Sequence, residues 1–170
     1  MKRLIQQTLN KTYNTMNDNE LMRRAIALAK ESVRNGGGPF GAVVSRNGEI
    51  IAEAANSVAA DCDPTAHAEV KAIRQAAARI GTFRLSGCTI YASCEPCPMC
   101  LGAIYWAHID KVFYACSRHD AAAVGFDDDF IYKELSLAPA ERRKPSAVML
   151  ANEAAEAFRL WTGKKDKTPY

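Results

Sequence analysis

The sequence lacks any long hydrophobic run, although 48% of its 170 residues are hydrophobic. A helix that crosses a bilayer needs about 20 consecutive apolar residues. Residues 4–20 are mostly Gln, Asn, Thr and Lys, and they lack the apolar stretch of roughly 7 to 15 residues that a signal peptide requires. We therefore expect a cytoplasmic protein that has no membrane partner.

The sequence also lacks an excess of charge of one sign. Its 22 basic and 19 acidic residues leave a formal net charge of +3, and they are spread along the chain. Proteins that bind phosphate backbones concentrate basic residues on one surface. We therefore expect no nucleic-acid partner.

A chain of 170 residues has the length of one ordinary domain. We expect a flexible polar arm at 1–16, a single domain at 17–162 and a basic tail at 163–170. Half of the six cysteines lie within the seven positions 94–100. Such clustering favours a metal site or a reactive site over a disulfide framework.

Helical patterns alternate with short strands along the domain. Asn17 with Glu20 has the spacing of a helix cap, and Asn47-Gly48 is a strong hairpin signal. The pattern predicts an α/β fold, a three-layer α/β/α sandwich around a mixed sheet of about five strands. The expected elements are helices from 17 to 36, 66–80, 98–107 and 154–161, and strands at 40–45, 49–54, 88–94, 111–116 and 147–150.

Two short segments carry the residues that suit hydrolytic chemistry, His-Ala-Glu at 67–69 and Pro-Cys-Pro-Met-Cys at 96–100. A catalytic zinc site needs three protein ligands, a fourth position open to water and a nearby base. The two segments match the His-x-Glu and Pro-Cys-x-x-Cys signature of the zinc deaminases that act on nucleobases. The predicted zinc ligands are His67, Cys97 and Cys100.

Glu69 is the predicted acid and base of this site. Residues two apart on a helix do not share a face, so Glu69 is not expected to bind the metal beside His67. Two thiolates neutralise a zinc dication, and the bound water is then acidified less than under three imidazoles. A separate base is therefore needed. The alternatives for the Cys-x-x-Cys pair are a redox dithiol and a structural zinc site with Cys94 as fourth ligand.

Longer blocks extend the match beyond these ligands. They are Gly-Pro-Phe-Gly-Ala-Val at 38–43, Asp-Pro-Thr-Ala-His-Ala-Glu at 63–69, the segment from Ser93 to Ala107, and Gly-Phe-Asp-Asp at 125–128. With these blocks the chain resembles the bacterial guanine deaminases of the cytidine-deaminase-like zinc deaminase superfamily. The resemblance implies hydrolysis of a small purine, guanine, at C2, which yields xanthine and ammonia.

The resemblance also implies roles for further residues. Asp128 corresponds to a second carboxylate that recognises the base and helps the amine to leave, whereas without the family 127–129 is a solvated acidic turn. Asn56 and Phe40 correspond to residues that bind the base, although a loop asparagine and a strand-core phenylalanine are the alternatives. Trp106 and Tyr170 correspond to residues that line the substrate pocket.

The final segment carries an implication for assembly. In the family it crosses to a partner subunit and closes that subunit's site, so the resemblance implies a domain-swapped homodimer. Apolar Phe158 and Trp161 are candidates to anchor the exchange. An ordinary soluble tail is the alternative for 163–170.

Three other functions compete with guanine deamination. The zinc motifs are shared with adenosine deaminases that act on transfer RNA. Deamination of guanosine, cytosine or amino-triazines would use the same centre. The alternative outside enzymology is a structural zinc-binding module that binds a partner, in which Glu69 would have no chemical task.

Overall fold

A computed structural model describes residues 15–169. These residues form seven α-helices, four strands and a 3₁₀ turn at Pro139–Glu141. The helices are α1 (Asp18–Arg34), α2 (Val58–Asp61), α3 (Ala68–Ile80), α4 (Pro98–Trp106), α5 (Arg118–Ala123), α6 (Asp129–Ser136) and α7 (Ala151–Gly163). The strands are β1 (Gly41–Arg46), β2 (Glu49–Ala55), β3 (Cys88–Cys94) and β4 (Lys111–Cys116). None of the helices in 15–169 combines the length and apolarity needed to cross a bilayer.

The four strands form one mixed sheet in the order β2-β1-β3-β4. Strand β1 is antiparallel to both β2 and β3, whereas β3 and β4 are parallel. This confirms the expected α/β fold with a mixed sheet. The division into an arm, a domain and a tail stays a prediction, because residues 1–14 and 170 lie outside the described part.

The expected fifth strand at 147–150 is wrong. The structure gives this segment no strand in the described chain, and the side chains of Val148 and Met149 are 88% and 80% exposed. Its apolar residues favour a strand, but β propensity depends on pairing with a neighbouring strand. The described sheet has four strands because this segment pairs with none of its edges.

The two faces of the sheet are covered by different helices. Side chains alternate between faces along a strand, so Val43 packs on α1 while its neighbours Ala42 and Val44 join the core on the opposite face. That opposite core includes residues of α3 and α4. The result is the predicted three-layer arrangement, with α1 on one side and the helices of the metal motif on the other.

Local signals account for the start of α1 and for the hairpin. The Asn17 side chain accepts a hydrogen bond from the Glu20 amide, and the Glu20 carboxylate accepts one from the Asn17 amide. At the hairpin, Asn47 and Gly48 both have positive φ, 52° and 79°, as a type I′ turn requires. Both features were predicted from short-range sequence.

A close approach between α1 and β1 depends on Gly41. A Cβ atom at this position would collide with the backbone of Ala25 and Ala29 in α1. Glycine therefore lets the helix lie directly on the strand. This contact seats β1, whose preceding residue Phe40 reaches the cavity described below.

Tyr91 ties the sheet to the beginning of α1. This side chain is 3% exposed, and its hydroxyl donates a hydrogen bond of 2.6 Å to Asp18 Oδ1. Burial and then this bond to a carboxylate raise the pKa of Tyr91 to about 12. The phenol therefore remains a neutral donor at physiological pH.

Candidate active site

The three predicted zinc ligands lie together. His67 Nδ1 is 3.6 Å from Cys97 Sγ and 3.5 Å from Cys100 Sγ, and the three potential ligand atoms all lie within 4.8 Å of one another. Zinc bonds of about 2.3 Å to sulfur and about 2.0 Å to nitrogen place tetrahedral ligands roughly 3.5 Å apart. The donor set and its spacing therefore fit a zinc ion.

Two helix starts create this arrangement. His67 is the N-cap of α3 and Cys97 is the N-cap of α4, each with extended backbone angles. Pro98 occupies the beginning of α4, where its missing N–H has no cost. Cys100 lies one turn into the same helix and is fully buried. A Cys-x-x-Cys motif that begins at the N-cap therefore directs both sulfurs to one point.

The two thiols differ in their electrostatics. Contact with Cys100, and then with His67, lowers the pKa of the Cys97 thiol. The pairing with Cys97 raises the pKa of Cys100. Of the two thiols, Cys97 therefore ionises more readily, and the thiolate is the form that binds a metal ion.

Glu69 is buried beside the metal cluster. Its side chain is 6% exposed, and its Oε2 atom accepts a hydrogen bond of 3.4 Å from Cys100 Sγ. Burial raises the pKa of the Glu69 carboxyl. A carboxyl group with a raised pKa that lies next to a metal position is suited to accept and return a proton.

Cys94 does not join the metal cluster. Its thiol donates a hydrogen bond of 3.5 Å to the Ser117 carbonyl oxygen, and burial raises its pKa to about 11. A neutral thiol that is engaged elsewhere is a poor zinc ligand. Among the described residues the cluster therefore has three ligands, as a catalytic site requires, and not four.

A cavity of about 360 Å³ opens beside the cluster. Its lining comes from two parts of the chain. The first wall includes Phe40, Asn56, His67, Glu69 and Cys97, and the second includes Arg118, Phe126, Asp127 and Asp128. The volume suits a small ligand. The cavity therefore brings together five predicted site residues from the first wall and one, Asp128, from the second.

The three carboxylates of the acidic run 127–129 differ in their surroundings. Asp129 forms ion pairs with Lys133 and Arg118 at 2.6 and 3.9 Å. Asp127 and Asp128 both line the cavity, but Asp127 is exposed whereas Asp128 is half-buried. Burial and then the charge of Cys97 raise the pKa of Asp128. Asp128 and Asp129 are both partly buried, but of these two only Asp128 lines the cavity.

Asn56 lines the cavity and is held in place by its neighbours. Its backbone N–H donates to the Phe40 carbonyl oxygen at 3.0 Å, and its side-chain Oδ1 accepts from the Val58 backbone N–H at 3.3 Å. Behind it, Lys71 of α3 donates to Ser57 Oγ and pairs with Asp61 at 3.3 Å. The same helix that carries Glu69 therefore braces the Asn56 loop. Sequence reasoning missed this brace because its members are far apart in the chain.

An aromatic pair forms one side of the cavity. The rings of Phe40 and Phe126 meet edge to face with centroids 4.9 Å apart. Phe126 was part of a recognised block but was not among the predicted site residues. The available signal was its place in the Gly-Phe-Asp-Asp block, two residues before the predicted site residue Asp128. Arg118 and Glu95 also line the cavity and were not predicted.

Two predicted pocket residues are not brought to the cavity by the described chain. Trp106 is 64% exposed at the end of α4, and it lines a separate cavity with Phe158, Trp161 and Pro169. The helix that starts at the metal cluster carries its last residue away from the cluster. Within the described residues Trp106 therefore takes no part in the cavity beside the metal cluster, and Tyr170 lies outside those residues.

A histidine and two cysteines beside a buried glutamate, on this helix–sheet–helix fold, define a hydrolytic zinc deaminase. The chain belongs to the cytidine and deoxycytidylate deaminase family, whose zinc-binding region matches residues 15–116. The first wall of the cavity lies within this match, and the second wall lies beyond it.

The likeness to particular relatives extends over more of the chain than the family match does. The chain is 50% identical to guanine deaminase of Bacillus subtilis (strain 168), over 91% of this chain and 100% of that protein. The X-ray structure of that guanine deaminase superposes with a TM-score of 0.88 and covers 91% of this chain and 99% of that chain.

Two other likenesses are more limited. A tRNA-specific adenosine deaminase of Bacillus subtilis (strain 168) is 44% identical over 58% of this chain and 62% of its own length. A mutant of NE0047 solved in complex with 8-azaguanine is 31% identical, with a TM-score of 0.66 over 75% of this chain and 74% of that chain.

Proposed function

We propose that this protein is a zinc-dependent guanine deaminase that converts guanine and water to xanthine and ammonia. The observation that carries the proposal is the likeness to a guanine deaminase over 91% of the chain. That likeness must include most of the segment after residue 116, which supplies the second wall. The likeness to the tRNA deaminase covers 58% of the chain. The 8-azaguanine in the NE0047 structure is a close analogue of guanine and supports a purine base as ligand.

His67, Cys97 and Cys100 hold the zinc ion in this proposal. When bound, the ion supplies Lewis acidity that activates water as a nucleophile. Glu69 takes a proton from that water and delivers it to a ring nitrogen of guanine, which makes C2 more electrophilic. The water oxygen then forms a bond to C2, Glu69 carries the second proton of that water to the exocyclic nitrogen, the bond from C2 to that nitrogen breaks, and ammonia leaves as the C2 carbonyl forms. The half-buried Asp128 contacts the departing amine.

Binding of the base falls to the remaining cavity residues. The Asn56 amide group provides hydrogen bonds to the heterocycle, and its braced loop limits the conformations it can take. The rings of Phe40 and Phe126 provide an apolar surface against which a flat base packs. The partly enclosed cavity is suited to a free base better than to a base within a folded RNA.

A substrate panel tests the proposal. The zinc-loaded protein should release ammonia from free guanine with a kcat/KM at least about 100-fold above that for cytidine, adenine or an RNA hairpin with an adenosine in its loop. Differences of this size follow when buried polar groups of a site lose their partners. The measurement is ammonia release at equal substrate concentrations, with guanosine and an amino-triazine included. Activity confined to the RNA hairpin would contradict the assignment.

The proposal includes a homodimer in which the C-terminal segment closes the partner's site. Every residue of α7 is at least partly exposed, and Phe158, Leu160 and Trp161 are 73%, 68% and 42% exposed. Edge strand β4 adds Phe113 and Tyr114, which are 40% and 50% exposed. Apolar surface on this scale is typical of an interface.

A site that needs two free thiols also agrees with a reducing, cytoplasmic location.

Shortening the chain to end at Thr162 tests the role of the tail. We expect guanine kcat/KM to fall about 100-fold, because loss of a closing segment leaves the substrate poorly positioned. Zinc content should stay at the parent value, since all three ligands lie far from the tail in sequence. Sedimentation velocity of the parent should show a dimer. A parent that sediments as a monomer, or a shortened chain with full activity, would refute this part of the proposal.

A further inference from the structure

The segment that carries Asp128 has little apolar anchorage. It lies beyond the matched family region, which ends at residue 116, and every residue of the following helix α6 is at least partly exposed. Beyond the contact of Phe126 with Phe40, apolar burial therefore contributes little to fixing this segment over the metal cluster. Polar contacts therefore help to hold the segment in place.

Tyr132 makes the contact that joins this segment to the metal motif. Its hydroxyl donates a hydrogen bond of 2.8 Å to the carbonyl oxygen of Pro96. Pro96 immediately precedes the metal ligand Cys97, and Tyr132 lies one helical turn after Asp128. The hydrogen bond therefore links the metal motif to the segment that carries Asp128. Burial and then the negative charge of Asp128 raise the pKa of the Tyr132 phenol. The hydroxyl is therefore a proton donor at neutral pH.

Arg118 holds the other side of the Tyr132 ring. The guanidinium carbon lies 4.7 Å from the ring centroid, which is a cation–π distance. The Arg118 amide donates to Glu95 Oε2 at 3.0 Å, and its Nε atom lies 3.9 Å from Asp129 Oδ1. Arg118, which lies over the ring, thus contacts both the residue before the Pro-Cys motif and the residue after Asp128.

We propose that Tyr132 is a positioning residue that fixes Asp128 over the metal cluster through its hydrogen bond to the Pro96 carbonyl. The inference rests on the proposed function, because it assigns the Asp128 carboxylate to the leaving amine. Tyr132 does not line the cavity itself. It acts on the reaction only through the place it gives to Asp128.

Tyr132→Phe removes the hydroxyl and keeps the ring under Arg118. A displacement of about 1 Å at a reacting group can cost up to 10²-fold in rate, and loss of one of several ties should cost less. We expect kcat for guanine to fall about 5- to 20-fold, with KM changed less than about twofold, because the aromatic and amide contacts to the base are intact. Zinc content should be that of the parent.

A double-mutant cycle with Asp128→Asn distinguishes positioning from general damage. If Tyr132 acts through Asp128, Tyr132→Phe should lower kcat less than about twofold in the Asp128→Asn background, since the group it positions is already disabled. An equal fold-loss in both backgrounds, or no loss in the parent background, would overturn the proposal. Arg118→Met provides a second test, because it should give the same non-additivity while leaving the tyrosine hydroxyl in place.

Tyr91→Phe is the matched control. It also removes a tyrosine hydroxyl that donates a hydrogen bond to a carboxylate, Asp18, but Tyr91 lies outside the cavity. We expect a lower melting temperature with kcat unchanged. The unmodified parent distinguishes a failure of the proposed function from a failure of the role of Tyr132. A zinc-loaded parent that is inactive on guanine refutes the proposed function, whereas an active parent with an additive cycle refutes only the role of Tyr132.

Discussion

Replacement of Glu69 by alanine is expected to leave zinc binding intact and to lower kcat for guanine by about 10²- to 10⁴-fold, the usual contribution of a positioned acid and base. The expectation rests on the buried position of Glu69 and on its 3.4 Å contact with the Cys100 sulfur. Glu69 is not one of the three clustered ligands. Removal of its carboxylate should therefore remove the proton path and not the metal.

Two further variants make this experiment specific. Glu69→Gln keeps the size of the side chain but cannot carry the proton, so it should be as inactive as the alanine variant. Glu49→Ala removes an exposed carboxylate at the start of β2 and should keep the parent rate. Metal analysis together with steady-state kinetics provides the readout. A Glu69→Ala protein with parental turnover would remove Glu69 from the mechanism.

Replacement of Cys100 by serine is expected to abolish both zinc binding and turnover. Cys100 is fully buried, with its sulfur 3.5 Å from His67 Nδ1. A serine hydroxyl does not ionise as a thiol does, and a site with only two good ligands binds zinc weakly. Zinc per chain should fall from about one to below about 0.1. Activity should fall by at least about 10³-fold, because the water nucleophile is no longer activated.

The same variant should also unfold at a lower temperature than the zinc-loaded parent. A metal that binds only the folded chain stabilises it by RT ln(1 + [L]/Kd), and this contribution is lost with the site. Cys62→Ser is the control, because Cys62 is exposed at the end of α2. It should match the parent in metal content, melting temperature and rate. A Cys100→Ser protein that retains zinc and activity would show that the metal lies elsewhere.

The parts predicted correctly from the sequence depend on short-range signals. Asn17 with Glu20, and Asn47 with Gly48, determine local backbone geometry whatever surrounds them. The metal motif is equally local at each end, since Cys97 and Cys100 are one helical turn apart. Only the contact of His67 with the two cysteines is long-range. Local physics does not predict that contact, and the prediction came from the known signature of the zinc deaminases.

The incorrect and missing parts depend on distant partners. The apolar residues at 147–150 favour a strand, but a strand exists only where a sheet edge accepts it. The stack of Arg118 on Tyr132 and the bond from Tyr132 to Pro96 join positions 14 to 36 residues apart, and no periodicity indicates them. Trp106 likewise has a helical position that the sequence predicts, but its surroundings depend on where the distant helix α7 lies.

The two walls of the cavity have different origins along the chain. The wall that holds the metal ligands and Glu69 is supported by the sheet and by the starts of α3 and α4, so changes there are expected to disturb catalysis. The wall formed by residues 118–128 belongs to a surface segment that is held by a few polar ties. Selectivity for one heterocycle over another can therefore diverge among descendants through changes in this second wall alone, while the hydrolytic apparatus is inherited intact.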